Sequence, residues 1–82
     1  MTSEARRLIA SNVRALRAAH KMTQEDLAGA AEIDRSYVSL IENAHYSVSI
    51  DLLAKMAEVF GIAVHEMLHP DTAKSAERNM RS

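Results

Sequence analysis

Eighty-two residues, 48% of them apolar, with no cysteine and a formal net charge of −1, fit one small domain and exclude a disulfide framework, thiolate chemistry and a chain that is basic throughout. No apolar run approaches the roughly 20 residues of a membrane helix, and residues 1–15 have no signal-peptide core, so the expectation is a soluble protein of the reducing cytoplasm, with no membrane partner. Any nucleic-acid contact then has to rest on local charge. Residues 1–35 hold six basic groups (Arg6, Arg7, Arg14, Arg17, Lys21 and Arg35), but five acids share that stretch.

Two glycines and one proline among plentiful alanine, leucine, methionine, glutamate and arginine predict an all-α chain. Ile9, Val13 and Leu16 recur at i, i+4, i+7 and place a first helix at about 4–20. Thr23 is an N-cap, with Asp26 three residues on completing a shortened capping box, and a second helix follows over 24–31. Asp34 is the next N-cap, for a third helix over about 35–43 with Val38 and Ile41 inward. Asn43 to Val48 reads as loop. Ser49 caps a fourth helix over about 50–59, and Gly61 suits the position after its end, where φ is often positive. A short fifth helix is expected at about 63–69, closed by Pro70. Residues 1–70 form the domain, and residues 71–82 read as a flexible polar tail with some helical tendency.

Only Glu32 to Asp34 separate the second and third helices, a link short enough for a helix-turn-helix, whose second helix can enter the DNA major groove. Counting Gln24 as one, small Ala28 falls at position five, and Ile33, Val38 and Ile41 fall at ten, fifteen and eighteen, the apolar contacts that hold the two helices together. The stretches NVRALRAAHKMTQEDLAGAAEIDRSYVSLIEN and SIDLLAKMAEVFGI, read together, resemble the lambda-repressor-like, or XRE-type, helix-turn-helix regulators. MTQEDLA followed by DRSYVSLIE is most similar to the controller proteins of restriction–modification systems.

The resemblance implies a compact five-helix fold and a transcriptional regulator that binds double-stranded DNA, with RNA polymerase as a further candidate partner. It implies base reading by Arg35, Ser36, Tyr37, Ser39 and Leu40, and phosphate contact by Thr23, Gln24, Asn43, His45, Tyr46 and Ser47. Arg17 and Glu42 match a structural ion pair. The family often has glycine where this chain has Glu32 and Ala44. A left-handed residue other than glycine costs on the order of 1 kcal/mol, which the fold tolerates. Controllers often carry arginine where this chain has Asn43 and Tyr46, which leaves the loop less basic.

His65 to His69 spell H-E-x-x-H, a zinc-protease signature in which two histidines one α-helical turn apart hold the metal. Its setting here is a helix of barely two turns that ends at proline in a chain with no strand, so no metal, cofactor, small-molecule ligand or catalytic residue is expected, and the protein is read as no enzyme. Phe60, Ile62, Val64, Met67 and Leu68 carry more apolar surface than so small a core needs and are expected to form a homodimer interface. The alternatives are an antitoxin or adaptor of the same fold that binds protein, and, remotely, a metallopeptidase.

Overall fold

The structure is a computed structural model and describes residues 3–81. Its elements are α1 (Glu4–Ala19), α2 (Gln24–Ala31), α3 (Arg35–Glu42), α4 (Ile50–Phe60), a 3-10 helix (Val64–Leu68) and α5 (Thr72–Arg81). Among the described residues every regular element is helical, and none is long and apolar enough to cross a membrane.

Side-chain caps fix three of the starts. Ser3 Oγ accepts the Arg6 N–H at 3.1 Å, and Ser49 Oγ accepts the Leu52 N–H at 3.1 Å. Thr23 and Asp26 form the reciprocal capping box, with Asp26 N donating to Thr23 Oγ1 at 3.0 Å and Thr23 N donating to Asp26 Oδ2 at 2.9 Å. Asp34 occupies the N-cap of α3 as the sequence suggests, but its side chain makes no cap hydrogen bond.

Helices α1 to α4 all end the same way. The chain turns left-handed at Lys21 (φ 56), Glu32 (φ 58), Ala44 (φ 59) and Gly61 (φ 70). The next N–H then reaches back five residues: Met22 to Arg17 O at 2.9 Å, Ile33 to Ala28 O at 2.9 Å, His45 to Leu40 O at 2.9 Å and Ile62 to Ala57 O at 3.0 Å. These are Schellman closures, and each satisfies carbonyls that the helix end leaves open. Only the last has glycine. The other three carry the strain that a Cβ meets in this conformation, about 1 kcal/mol each.

The inward faces of the helices form one core around Val13, Leu27, Val38, Ile41, Met56 and Met67, all but sealed from solvent. Burying each such side chain contributes about 1.5–3 kcal/mol. Ala28 and Ala31 keep α2 slim on its inner face and are themselves buried.

The C-terminal third departs from the sequence-based expectation in two ways. The segment expected as a fifth α-helix winds as a 3-10 helix, with His69 beyond it in extended backbone (φ −82, ψ 133). The segment expected as a flexible tail is α5, which packs against α1. Its anchor is a stripe of small residues: Ala76 is buried and Ala73 packs on the core. Small side chains let two helices approach closely while adding little to apparent hydrophobicity, so the polar composition of 71–82 masks the docking face. Pro70 thus precedes a helix and does not end the ordered chain. The Cα radius of gyration, 11.5 Å, matches the roughly 12 Å of a fully folded chain of this length.

One buried polar side chain fastens this assembly. Asn12 on α1, 1% exposed, donates from Nδ2 to Met67 O at 2.8 Å and to His69 O at 3.1 Å. Its Oδ1 accepts the Ala73 N–H at 3.0 Å. A single amide therefore closes the end of the 3-10 helix and the start of α5, with every polar atom satisfied. Asn12 was passed over in the sequence. The signal was its place between Ile9, Val13 and Leu16 on the core face of α1, where a polar residue has to find partners.

Candidate nucleic-acid interface

Helix α3 is one-sided. Val38 and Ile41 are sealed in the core, while Arg35, Ser36, Tyr37 and Leu40 face solvent, Tyr37 at 41% and Leu40 at 40% exposure. Ser39 is half-buried at the margin. Tyr37 and Leu40 thus place two large apolar or aromatic surfaces on an exposed helix face.

What holds that face in place is Glu42, the last residue of α3, whose side chain is almost fully buried. Arg17 on α1 grips it with two bonds, Nε to Oε2 at 2.6 Å and Nη2 to Oε1 at 3.0 Å. The same guanidinium donates from Nη1 to Met22 O at 2.9 Å, which ties down the turn before α2. Gln24, at the start of α2, donates from Nε2 to Glu42 Oε1 at 3.2 Å. Arg14 Nη1 donates to the Glu42 carbonyl at 3.2 Å and supplies a cation at the C-terminal end of the α3 dipole. The hydrogen bonds and charge of Glu42 hold the Arg17 guanidinium above its ordinary pKa, against a smaller opposing effect of burial. One carboxylate thus joins α1, the start of α2 and the end of α3.

The residues singled out for phosphate contact divide. Gln24 commits one amide hydrogen to Glu42, so its first duty is internal, and the other hydrogen and the N–H groups of Gln24 and Glu25 remain for an anion, since those of Asp26 and Leu27 are taken by Thr23. Thr23 Oγ1 is the acceptor of the capping box, and its hydroxyl is directed at the Asp26 carboxyl. Backbone and side-chain hydrogen bonds from Thr23 hold the Asp26 carboxyl below its ordinary pKa, so the box carries a negative charge beside this site. Asn43 Nδ2 donates to Ser39 O at 2.8 Å and approaches Ser39 Oγ at 3.5 Å. Tyr46 is half-buried against the core, with its ring 5.4 Å from that of Tyr37. His45 and Ser47 are exposed in the loop after α3. Sequence reasoning missed Arg14, whose role shows only when the end of α3 is placed beside α1.

The five apolar residues expected at a dimer interface also divide, and the structure corrects two of them. Phe60 is 4% exposed and Met67 is 0% exposed, so both belong to the core. Phe60 also packs on the ring of His20 at 5.4 Å. Val64 and Leu68, each 40% exposed, keep an apolar surface, and Ile62 is half-buried. The H-E-x-x-H run has lost its α-helical register. A 3-10 winding repeats every three residues, so His65 and His69 do not stack, and His69 Nδ1 accepts the Asp71 N–H at 3.0 Å. Among the described residues no three His, Asp or Glu side chains gather in an arrangement that could hold a metal ion.

Two short helices joined by three residues, the second with one face in the core and the other open, define a helix-turn-helix protein. The chain belongs to the HTH_3 helix-turn-helix family, whose profile matches residues 13–67. It is 34% identical over 65 residues to the Neisseria hypothetical transcription factor of Neisseria meningitidis serogroup B, an alignment that covers 79% of this chain and 61% of that protein. It is 32% identical over 79 residues to the control protein C.BamHI of Bacillus amyloliquefaciens, covering 95% of this chain and 98% of that one. The crystal structure of the hypothetical transcription factor NHTF from Neisseria superposes with a TM-score of 0.80 at 31% identity, covering 89% of this chain and 86% of that chain. The chain thus spans less than two thirds of the Neisseria relative's length and nearly all of the control protein's.

Proposed function

We propose that this protein is a sequence-specific DNA-binding transcriptional regulator that reads two operator half-sites as a homodimer, in a setting like that of a restriction–modification controller. The observation that carries this is the α3 face: Arg35, Ser36, Tyr37 and Leu40 stand exposed on a rod whose other side is locked into the core. Arg35 supplies the forked donor that matches guanine in the major groove, and Leu40 an apolar contact for a thymine methyl. Ser36 and Ser39 offer hydroxyls to bases or phosphates. The first turn of α2, with Thr23 and Gln24, and the loop residues His45 and Ser47 flank α3 as backbone contacts.

Relatives named as a transcription factor, a control protein and an immunity repressor support the regulatory reading, and the end-to-end match to the control protein supports the controller setting. One recognition helix reads only a few base pairs, so a two-fold dimer through Val64 and Leu68 is the arrangement that gives an operator-length site.

Selection of bound duplexes from a random pool, at several salt concentrations, tests the proposal. Two related half-sites with centres about 10 bp apart, bound with an affinity that falls steeply with salt, are expected. A pool that gains no common sequence after repeated rounds is the contrary result.

A further inference from the structure

Two tyrosines lie in or beside the proposed reading surface. Tyr37 stands exposed on α3, and Tyr46, in the loop that follows, is half-buried on the core. Their ring centroids are 5.4 Å apart with planes tilted by 38°, inside the range of favourable aromatic pairs. The loop that carries Tyr46 is itself anchored. Ala44 turns it back at φ 59, His45 N–H closes on Leu40 O at 2.9 Å, and Asn43 Nδ2 holds Ser39 O at 2.8 Å. A solvent-facing tyrosine normally samples several rotamers. Tyr37 instead has a fixed wall on one side.

We propose that Tyr46 is a positioning residue for sequence reading: its ring, seated on the core, holds the Tyr37 ring in the orientation that meets DNA, and its hydroxyl is not a phosphate ligand. The inference rests on the DNA-binding reading above. The loop acts as a brace for α3, with Tyr46 setting Tyr37 and Asn43 setting Ser39. Ordering a side chain before binding removes a cost that the complex otherwise bears. The benefit appears only in complexes that use the Tyr37 ring. Non-specific complexes rest on phosphate contacts and gain nothing from it.

The experiment has two arms. The chain has two tyrosines and no tryptophan, so the tyrosine near-ultraviolet circular dichroism of the free protein comes from this pair alone. Tyr37→Phe and Tyr46→Phe are each expected to change the signal of the tyrosine that remains, so the two single-variant spectra do not sum to the parent. Additive spectra overturn the ring contact. In the second arm, a duplex selected by the parent is compared with a random-sequence duplex of equal length at one salt concentration. Tyr46→Phe is expected to bind both like the parent. Tyr46→Ala is expected to lose about two- to tenfold on the selected duplex and nothing on the random one. If the alanine variant has a lowered thermal midpoint, Tyr46→Leu, which keeps apolar packing without a ring face, takes its place.

Loss by Tyr46→Phe on both duplexes makes the hydroxyl a phosphate ligand and overturns the proposal. Full specific affinity in the ring-deleted variant does the same. A parent with no preference for any duplex overturns the DNA reading and this inference together, while non-additive spectra would still establish the ring contact.

Discussion

Asn12 and Met67 lie 55 residues apart in sequence, and the buried amide of the first donates to the carbonyl of the second at 2.8 Å. With the bonds to His69 O and from Ala73 N, this makes Asn12 the fastening between α1 and everything after α4. Asn12→Ala leaves the Met67 carbonyl and the Ala73 N–H without partners, and the His69 carbonyl with only the Thr72 N–H at 3.3 Å, and should cost about 2–3 kcal/mol, much of the roughly 3–5 kcal/mol that a core of this size supplies. Asn12→Asp has the same shape and keeps the acceptor for Ala73, but sets a carboxylate against two carbonyls. That raises the new carboxyl's pKa, so stability is lost as pH rises through the raised value and regained as pH falls, when the protonated acid again donates. Thermal midpoints at neutral pH and at about pH 5 check both statements. An Asp variant equally stable at the two pH values would contradict the bonding scheme.

The Arg17–Glu42 pair predicts an asymmetry. Arg17→Ala strands a nearly buried carboxylate, at a cost of about 2–3 kcal/mol, below that of a fully buried pair because water reaches Arg17. Glu42→Gln keeps an acceptor for Arg17 and leaves no charge stranded inside, since Arg17 is partly exposed. It should cost less, on the order of 1 kcal/mol. Denaturant unfolding of the two variants gives the order, and a Glu42→Gln more damaging than Arg17→Ala would reverse the assignment of which partner is trapped.

The two pairs show what the sequence carries and what it hides. Helices α1 to α4 follow from local signals: apolar spacing, the Thr23–Asp26 box, Ser49 and Gly61. The left-handed residues at Glu32 and Ala44 follow from positions where the family has glycine. The Arg17–Glu42 bond was legible for the same reason. Hidden were features that depend on where distant segments meet. Asn12 reads as an oddity on an apolar face until residues 67, 69 and 73 arrive beside it. The docking of α5 depends on Ala73 and Ala76, whose small size has no hydrophobic signature. Within the candidate interface, the family resemblance implies phosphate contact by Gln24, Asn43 and Tyr46. It did not show that each is already engaged, with Glu42, Ser39 and Tyr37.

The capping box of α2 sets a pH dependence. Asp26 has its pKa lowered by the bonds from Thr23. A lowered carboxyl stabilises the fold above its unfolded value of about 3.9, and that contribution is lost as pH falls through the lower, folded value. Asp26→Asn should therefore be less stable than the parent at neutral pH, with the gap closing as acid is added. Parallel thermal scans across the acid range test this. A gap that widens with acid would mean that Asp26 stabilises the protein in its neutral form.

Arg35 is the residue for separating reading from folding. It is exposed at the first position of α3, where a cation faces the positive end of the helix dipole. Arg35→Ala should leave stability unchanged or slightly raised, within about 0.5 kcal/mol. Specific affinity should fall by about 1–3 kcal/mol, with relaxed preference at one position of each half-site. Titration of parent and variant against selected and altered duplexes at matched salt measures this. Equal discrimination by the two proteins would remove Arg35 from the reading set.

Met67 and Leu68 are neighbours with opposite exposures, and the contrast separates the fold from its assembly. Met67 is sealed in the core, so Met67→Ala opens a cavity and should cost about 2–5 kcal/mol within one chain. Leu68 and Val64 are each 40% exposed, so Leu68→Glu disturbs far less packing in the chain itself than Met67→Ala does. In a dimer formed through that surface the same change places two like charges across a two-fold axis, where each faces its own copy. Sedimentation of Leu68→Glu should therefore give a monomer at concentrations where the parent is a dimer, with the helical circular dichroism of the parent. Binding to a paired operator should drop towards that of a single half-site. If Leu68→Glu sediments with the parent's mass, the two-fold contact lies on another face, and the exposure of Val64 and Leu68 needs a different partner.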